Sequence, residues 1–208
     1  MATSRGLAAL ALAAFTASSG CAAAPPARSE PAPPSLRAAD GATATLTELR
    51  AGLDATVIVF WSATCPCVRR YQERVDALID AYPADRVRVI AVSSNAGESF
   101  LDVLRAAKER GVRVPLYRDE GGRLAEALGA RSTPTVVVLD AKGTVRFLGW
   151  IDNERRPGEP GRDPWLERAL GGVLDGKSSF ASRSPVYGCR ITRSLFDPAP
   201  GSCCSDSH

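Results

Sequence analysis

Positions 56–61, Thr-Val-Ile-Val-Phe-Trp, are all apolar or β-branched. A short run with no polar interruption predicts a strand buried on both faces. The period then changes. Val68, Tyr71, Val75, Leu78, Ile79 and Tyr82 recur at helical spacing and predict an amphipathic helix over 66–82, left at Pro83. A second strand is expected over 87–93, and a second helix over 98–110, closed by Gly111. A short extended piece at 114–117 precedes a short helix at 122–128, stopped by Gly129. Strands over 135–139 and 144–150 flank Ala141-Lys142-Gly143, a hairpin signal. Asp163-Pro164 opens a last helix carrying Trp165, Leu166, Ala169, Leu170, Val173 and Leu174. Upstream, Asp40-Gly41 marks a turn and 46–50 a helical turn. Residues 177–208 show no periodicity and are expected to form a loosely packed tail. Strands alternating with helices imply an α/β fold. Its mixed central sheet should be covered on both faces, with parallel pairs in the middle and the late hairpin antiparallel.

The junction between the first strand and its helix carries candidate chemistry. Cys65 falls at the helix N-cap and Pro66 at the first helical position, where a missing N–H costs nothing. The unpaired N–H groups of Cys67 and Val68 and the helix dipole favour an anion there. The thiolate is the nucleophilic form of cysteine. Cys65 is therefore expected to be a nucleophile at an exposed strand end. Cys67 lies only two residues on, and side chains at i and i+2 on a helix point apart. Three readings are open. Cys65 and Cys67 form a strained redox pair, which adjacency and an oxidising compartment favour. Cys67 is a bystander and Cys189 the partner. Or Cys65 and Cys67 are both soft-metal ligands.

Composition narrows the setting. The 208 residues allow one domain with tails, 45% hydrophobic and 24% charged. A net charge of +3, with acids and arginines interspersed, gives no argument for a nucleic-acid partner. Residues 1–20 read as a signal peptide: Arg5, an apolar stretch over 7–15, then small residues. Ser19-Gly20-Cys21 is similar to the end of a bacterial lipobox, which makes Cys21 a candidate lipidation site and the new N-terminus. Residues 21–37 are a Pro/Ala-rich, semi-rigid linker. The domain is expected over 38–176. Export places the protein in the periplasm or cell envelope, where thiols tend to be oxidised.

The run Val57-Ile-Val-Phe-Trp-Ser-Ala-Thr-Cys-Pro-Cys67 resembles the active-site segment of thioredoxin-fold proteins. Arg131-Ser-Thr-Pro-Thr-Val-Val-Val-Leu-Asp140 resembles their cis-proline strand. Residues 114–119 and 124–129 resemble the redoxin branch, the alkyl hydroperoxide reductase/thiol-specific antioxidant family. Pro185-Val-Tyr-Gly-Cys-Arg-Ile191 is similar to a C-terminal Gly-Cys motif in some of its secreted bacterial members. The resemblance implies a single three-layer α/β/α sandwich and a thiol–disulfide oxidoreductase acting on protein thiols and disulfides, as a monomer without a cofactor. It implies that Cys65 attacks, that Cys67 or Cys189 resolves, and that Thr133–Pro134 is cis. Thr133 then offers its backbone to an extended substrate, and Trp61 shields the site. The alternatives are a copper or soft-metal module on Cys65 and Cys67, and a thiol peroxidase. The one histidine, His208, is beside Cys203 and Cys204 at the C-terminal end, so no core histidine is available to a metal or a Cys–His pair. Peroxiredoxins carry Pro-x-x-x-Thr-x-x-Cys. Here Ser62 stands at the Thr position and Ile58 at the Pro position, which argues against peroxidase chemistry.

Overall fold

The computed structural model describes residues 34–154, 162–177 and 183–195. The expected signal peptide, Cys21, Cys203, Cys204 and His208 lie outside them. The elements run β1 (Ser35–Ala38), β2 (Thr43–Thr45), α1 (Leu46–Leu49), β3 (Ala55–Phe60), α2 (Pro66–Ala81), β4 (Val87–Ser93), α3 (Phe100–Glu109), β5 (Leu116–Asp119), α4 (Arg123–Leu128), β6 (Ser132–Thr133), β7 (Thr135–Asp140), β8 (Val145–Gly149), α5 (Trp165–Leu174) and β9 (Cys189–Arg190).

Seven strands form one mixed sheet in the order β2-β1-β5-β4-β3-β7-β8. β3 pairs in parallel with β4, and β4 with β5. The β3–β7, β7–β8, β1–β5 and β1–β2 pairs are antiparallel. Alternate side chains of the central strands go to opposite faces, as a period of two requires. Val57, Val59, Val89, Ala91, Val136 and Val138 join a core with α2, α3 and α5. Ile58, Phe60, Ile90, Val92, Val137 and Leu139 join another with α1 and α4. Every residue of β3 is buried, because both faces are covered. The chain is thus a three-layer sandwich of the thioredoxin-like type.

Two sequence expectations need correction. The linker does not extend to Arg37: Leu36, fully buried, pairs with Asp119 of β5 and draws residues 35–37 into the sheet. Nor is the tail loosely packed where it is described. Cys189 and Ile191 are both 6% exposed and belong to opposite cores, so this segment crosses the end of the sheet. A two-residue strand has no period to detect, so only pairing reveals it.

Beyond β8, an ionic cluster fixes the chain to α2. Asp152, fully buried, accepts from Arg74 Nη1 at 2.6 Å and from Arg162 Nε at 2.9 Å. Glu154 accepts from Arg74 Nη2 at 2.6 Å. The Tyr71 hydroxyl donates to the Glu154 carbonyl. Burial, with Asp152 nearby, pushes the Tyr71 phenol up to about 12.

Candidate active site

Parallel strands β3 and β4 end side by side, so the loops that follow them share one rim of the sheet. Sites gather at such carboxyl ends in open α/β sheets. Cys65 is the N-cap of α2 with extended backbone, and Pro66 is the first helical residue. Its sulfur makes no capping bond to the helix. Instead the Cys65 thiol, which is free, donates to the Thr133 carbonyl oxygen at 3.0 Å. Thr133 precedes a cis peptide bond to Pro134.

Cys65 is not at an exposed strand end, as the sequence suggested: it is fully buried. Cys189 of β9 is directly opposite Thr133 in an antiparallel pairing, and Ser132 faces Arg190. The Thr133 backbone is thus the common neighbour of the two cysteines. Cys67 is also fully buried, in the same core as Cys65 and Cys189. It is disulfide-bonded, and neither Cys65 nor Cys189 is its partner. The structure therefore holds Cys65 in a state without a Cys65–Cys67 bridge. Trp61 is 2% exposed and donates from Nε1 to Gln72 Oε1 at 3.0 Å.

Two residues that the sequence reading missed hold the loop leading into Cys65. Glu98, just before α3, accepts from the Ser62 hydroxyl (2.7 Å), the Thr64 hydroxyl (2.7 Å) and the Thr64 N–H (3.0 Å). Arg110, at the far end of α3, lies 5.5 Å above the Trp61 ring and donates to the Ala63 carbonyl at 2.5 Å. Burial and Arg69 pull its guanidinium below the ordinary arginine range, against Glu109, Glu98 and Cys65. No motif marks either residue. The available signal is positional: Ser94, Asn95 and Glu98 follow a strand that ends beside the one leading to Cys65.

We expect Glu98→Ala to slow thiol–disulfide exchange about tenfold, equivalent to ~1.4 kcal/mol of barrier. Three acceptor contacts to one loop would vanish while the core stays intact. Glu98→Gln, which keeps an acceptor oxygen, should recover part of the rate. Exchange rates and the hydrogen-exchange protection of the Thr64 amide check this. An Ala variant with parental rate and protection would remove Glu98 from the site.

The family model of the AhpC/TSA family matches residues 29–148. The thiol-disulfide oxidoreductase ResA of Halalkalibacterium halodurans is 31% identical over 86 residues, 41% of this chain and 48% of that protein. The chain thus spans about half the length of this curated relative. A solved structure of a hypothetical protein from Sinorhizobium meliloti superposes with a TM-score of 0.67 at 28% identity, covering 77% of this chain and 91% of that one. An exposed lipoprotein thioredoxin of Streptococcus pneumoniae superposes with a TM-score of 0.51 at 24% identity, covering 66% of this chain and 97% of that one. The last likeness speaks to the fold alone.

Proposed function

The chain belongs to the AhpC/TSA family, and on that premise we propose that it is a thiol–disulfide oxidoreductase acting on protein thiols and disulfides through Cys65. The observation that carries the reading is the free Cys65 thiol at a helix N-terminus, held against the carbonyl of the residue before cis-Pro134. The name of the relative in Halalkalibacterium halodurans supports the same reaction class.

In the reducing direction the Cys65 thiolate attacks one sulfur of a partner disulfide. A mixed disulfide forms and one partner thiol leaves. A second cysteine, as thiolate, attacks the Cys65 sulfur, releases the second partner thiol and leaves an internal disulfide. Two protein thiols are oxidised and one partner disulfide is reduced to two thiols. The reverse sequence oxidises a partner.

Cys189 is our choice for the second cysteine, because it faces Thr133 while Cys67 is committed to another disulfide. The experiment is a redox titration and trapping assay with a peptide disulfide, on the parent, Cys67→Ser and Cys189→Ser. We expect Cys189→Ser to accumulate the mixed disulfide and lose at least tenfold in turnover, with Cys67→Ser changing turnover less than threefold. The opposite pattern would restore the Cys65–Cys67 pair. The sequence of residues 1–21 supports export and attachment to a membrane through lipid on Cys21. The site would then work in the periplasm or cell envelope.

A further inference from the structure

A nucleophile that exchanges disulfides with other proteins must meet them, yet Cys65 has no exposed surface. The Thr133 carbonyl that accepts its thiol lies under a segment that can be traced. Ser184 is tied to the sheet edge: its N–H donates to the Leu148 carbonyl at 3.3 Å, and its Oγ accepts from the Trp150 N–H at 2.8 Å. Tyr187 rests on Trp150, with ring centroids 4.9 Å apart. Cys189 and Arg190 then pair with Thr133 and Ser132. Beyond them the Ile191 N–H donates to the Arg131 carbonyl at 2.9 Å, and Ile191 enters the opposite core. The segment ends on the loop after β4. Thr192 N–H donates to Asn95 Oδ1 at 2.9 Å, and the Ala96 N–H donates to the Thr192 carbonyl at 2.8 Å. Residues 184–192 thus form a strap across the rim that holds Cys65.

Gly188 makes this crossing possible. Its φ is +128°, a region that L side chains rarely adopt. A Cβ there would stand 2.8 Å from the Thr133 carbonyl carbon and closer still to its oxygen. The strap therefore touches the backbone atom that accepts the Cys65 thiol, and any side chain at 188 would force the two apart.

We propose that the strap is an exchangeable strand. It occupies the β6 edge on which a partner's extended, cysteine-bearing segment pairs, so that docking of the partner and uncovering of Cys65 are one event. The inference rests on the exchange reading above and goes beyond it. The partner it fits is an extended segment that adds to a sheet edge through main-chain hydrogen bonds, not a folded patch of side chains. β9 has only two residues, so its pairing is short, and opening it costs much less than opening the domain. A partner strand competes for the same edge. Between encounters the strap keeps Cys65 from small oxidants.

The test is the alkylation rate of Cys65 by iodoacetamide in the reduced, full-length chain, read by mass spectrometry under native conditions. Gly188→Ala should raise it at least tenfold. Ile191→Ala, which empties the anchor in the opposite core without touching Gly188, should do the same, and serves if Gly188→Ala fails to fold. Leu78→Ala, a buried position near the opposite end of α2 from Cys65, weakens the domain away from the strap and should stay within twofold of the parent, which separates strap release from general loosening. A parent Cys65 that reacts as fast as in the urea-unfolded chain, or strap variants no faster than the parent, would overturn the proposal. Alkylation does not need exchange activity. Uncovered but inactive variants would leave the strap standing and defeat the exchange reading. An active parent with an already open Cys65 would do the reverse.

Discussion

Cys65→Ser should abolish turnover of a peptide disulfide, by at least ~10³-fold, or about 4 kcal/mol of barrier. The reason is chemical and not structural. A serine hydroxyl is not ionised near neutral pH and forms no disulfide, so neither the attack nor the internal disulfide can occur. The fold should tolerate the change. A hydroxyl can donate to the Thr133 carbonyl as the thiol does, and the two side chains are of similar size. We expect the melting temperature to move by only a few degrees. The measurement is dithiothreitol-driven reduction of a peptide disulfide, beside circular dichroism of the same sample. A folded Cys65→Ser protein with more than a tenth of parental turnover would place the nucleophile elsewhere and sink the mechanism.

Arg74→Met should cost about 3 kcal/mol of stability, the largest effect we expect outside the site. Arg74 Nη1 and Nη2 reach Asp152 and Glu154, whose side chains are 0% and 5% exposed. Removing one partner of a buried ion pair typically costs 3–5 kcal/mol, because the remaining charge has lost both its partner and its water. We take the low end, since Arg162 still holds Asp152 at 2.9 Å and lies 3.9 Å from Glu154. Methionine retains the length of the stem and its packing on Tyr71. For a domain of this size the shift in melting temperature should be about 10 °C. Arg74→Lys, which keeps the charge but loses the two-pronged geometry, should fall between. Thermal and urea unfolding of the three proteins decide it. A Met variant within 1 kcal/mol of the parent would show the cluster to be dispensable.

These two residues sit at different distances from what a sequence can say. Cys65 was legible. The strand before it, the proline after it and the helical stripe beyond are local patterns. Each is set by period and cap chemistry, and the structure places all of them within a residue or two. β4, β5, β7, β8 and helices α3 to α5 were legible for the same reason, and the cis Thr133–Pro134 bond through resemblance, whereas β1, β2, β6 and β9 were not. Arg74 was one of many arginines on a helix. Nothing local marks it, because its carboxylates lie 78 and 80 residues away.

The sequence by itself determined the layered α/β fold and the position of Cys65 at a helix N-terminus, because both follow from interactions between near neighbours in the chain. Tertiary structure alone decided the rest. It joined Glu98 to Thr64 across 34 residues and Cys65 to Thr133 across 68. It also buried a nucleophile that the sequence had left exposed, and paired a two-residue strand carrying Cys189 with Thr133, whose carbonyl accepts the Cys65 thiol. The physical reason is that periodicity reports which face a residue turns inward, whereas long-range pairing depends on which surfaces meet once the layers close. A tail without periodicity therefore gave Cys189 only as a candidate partner through resemblance, and not its pairing with Thr133 beside cis-Pro134.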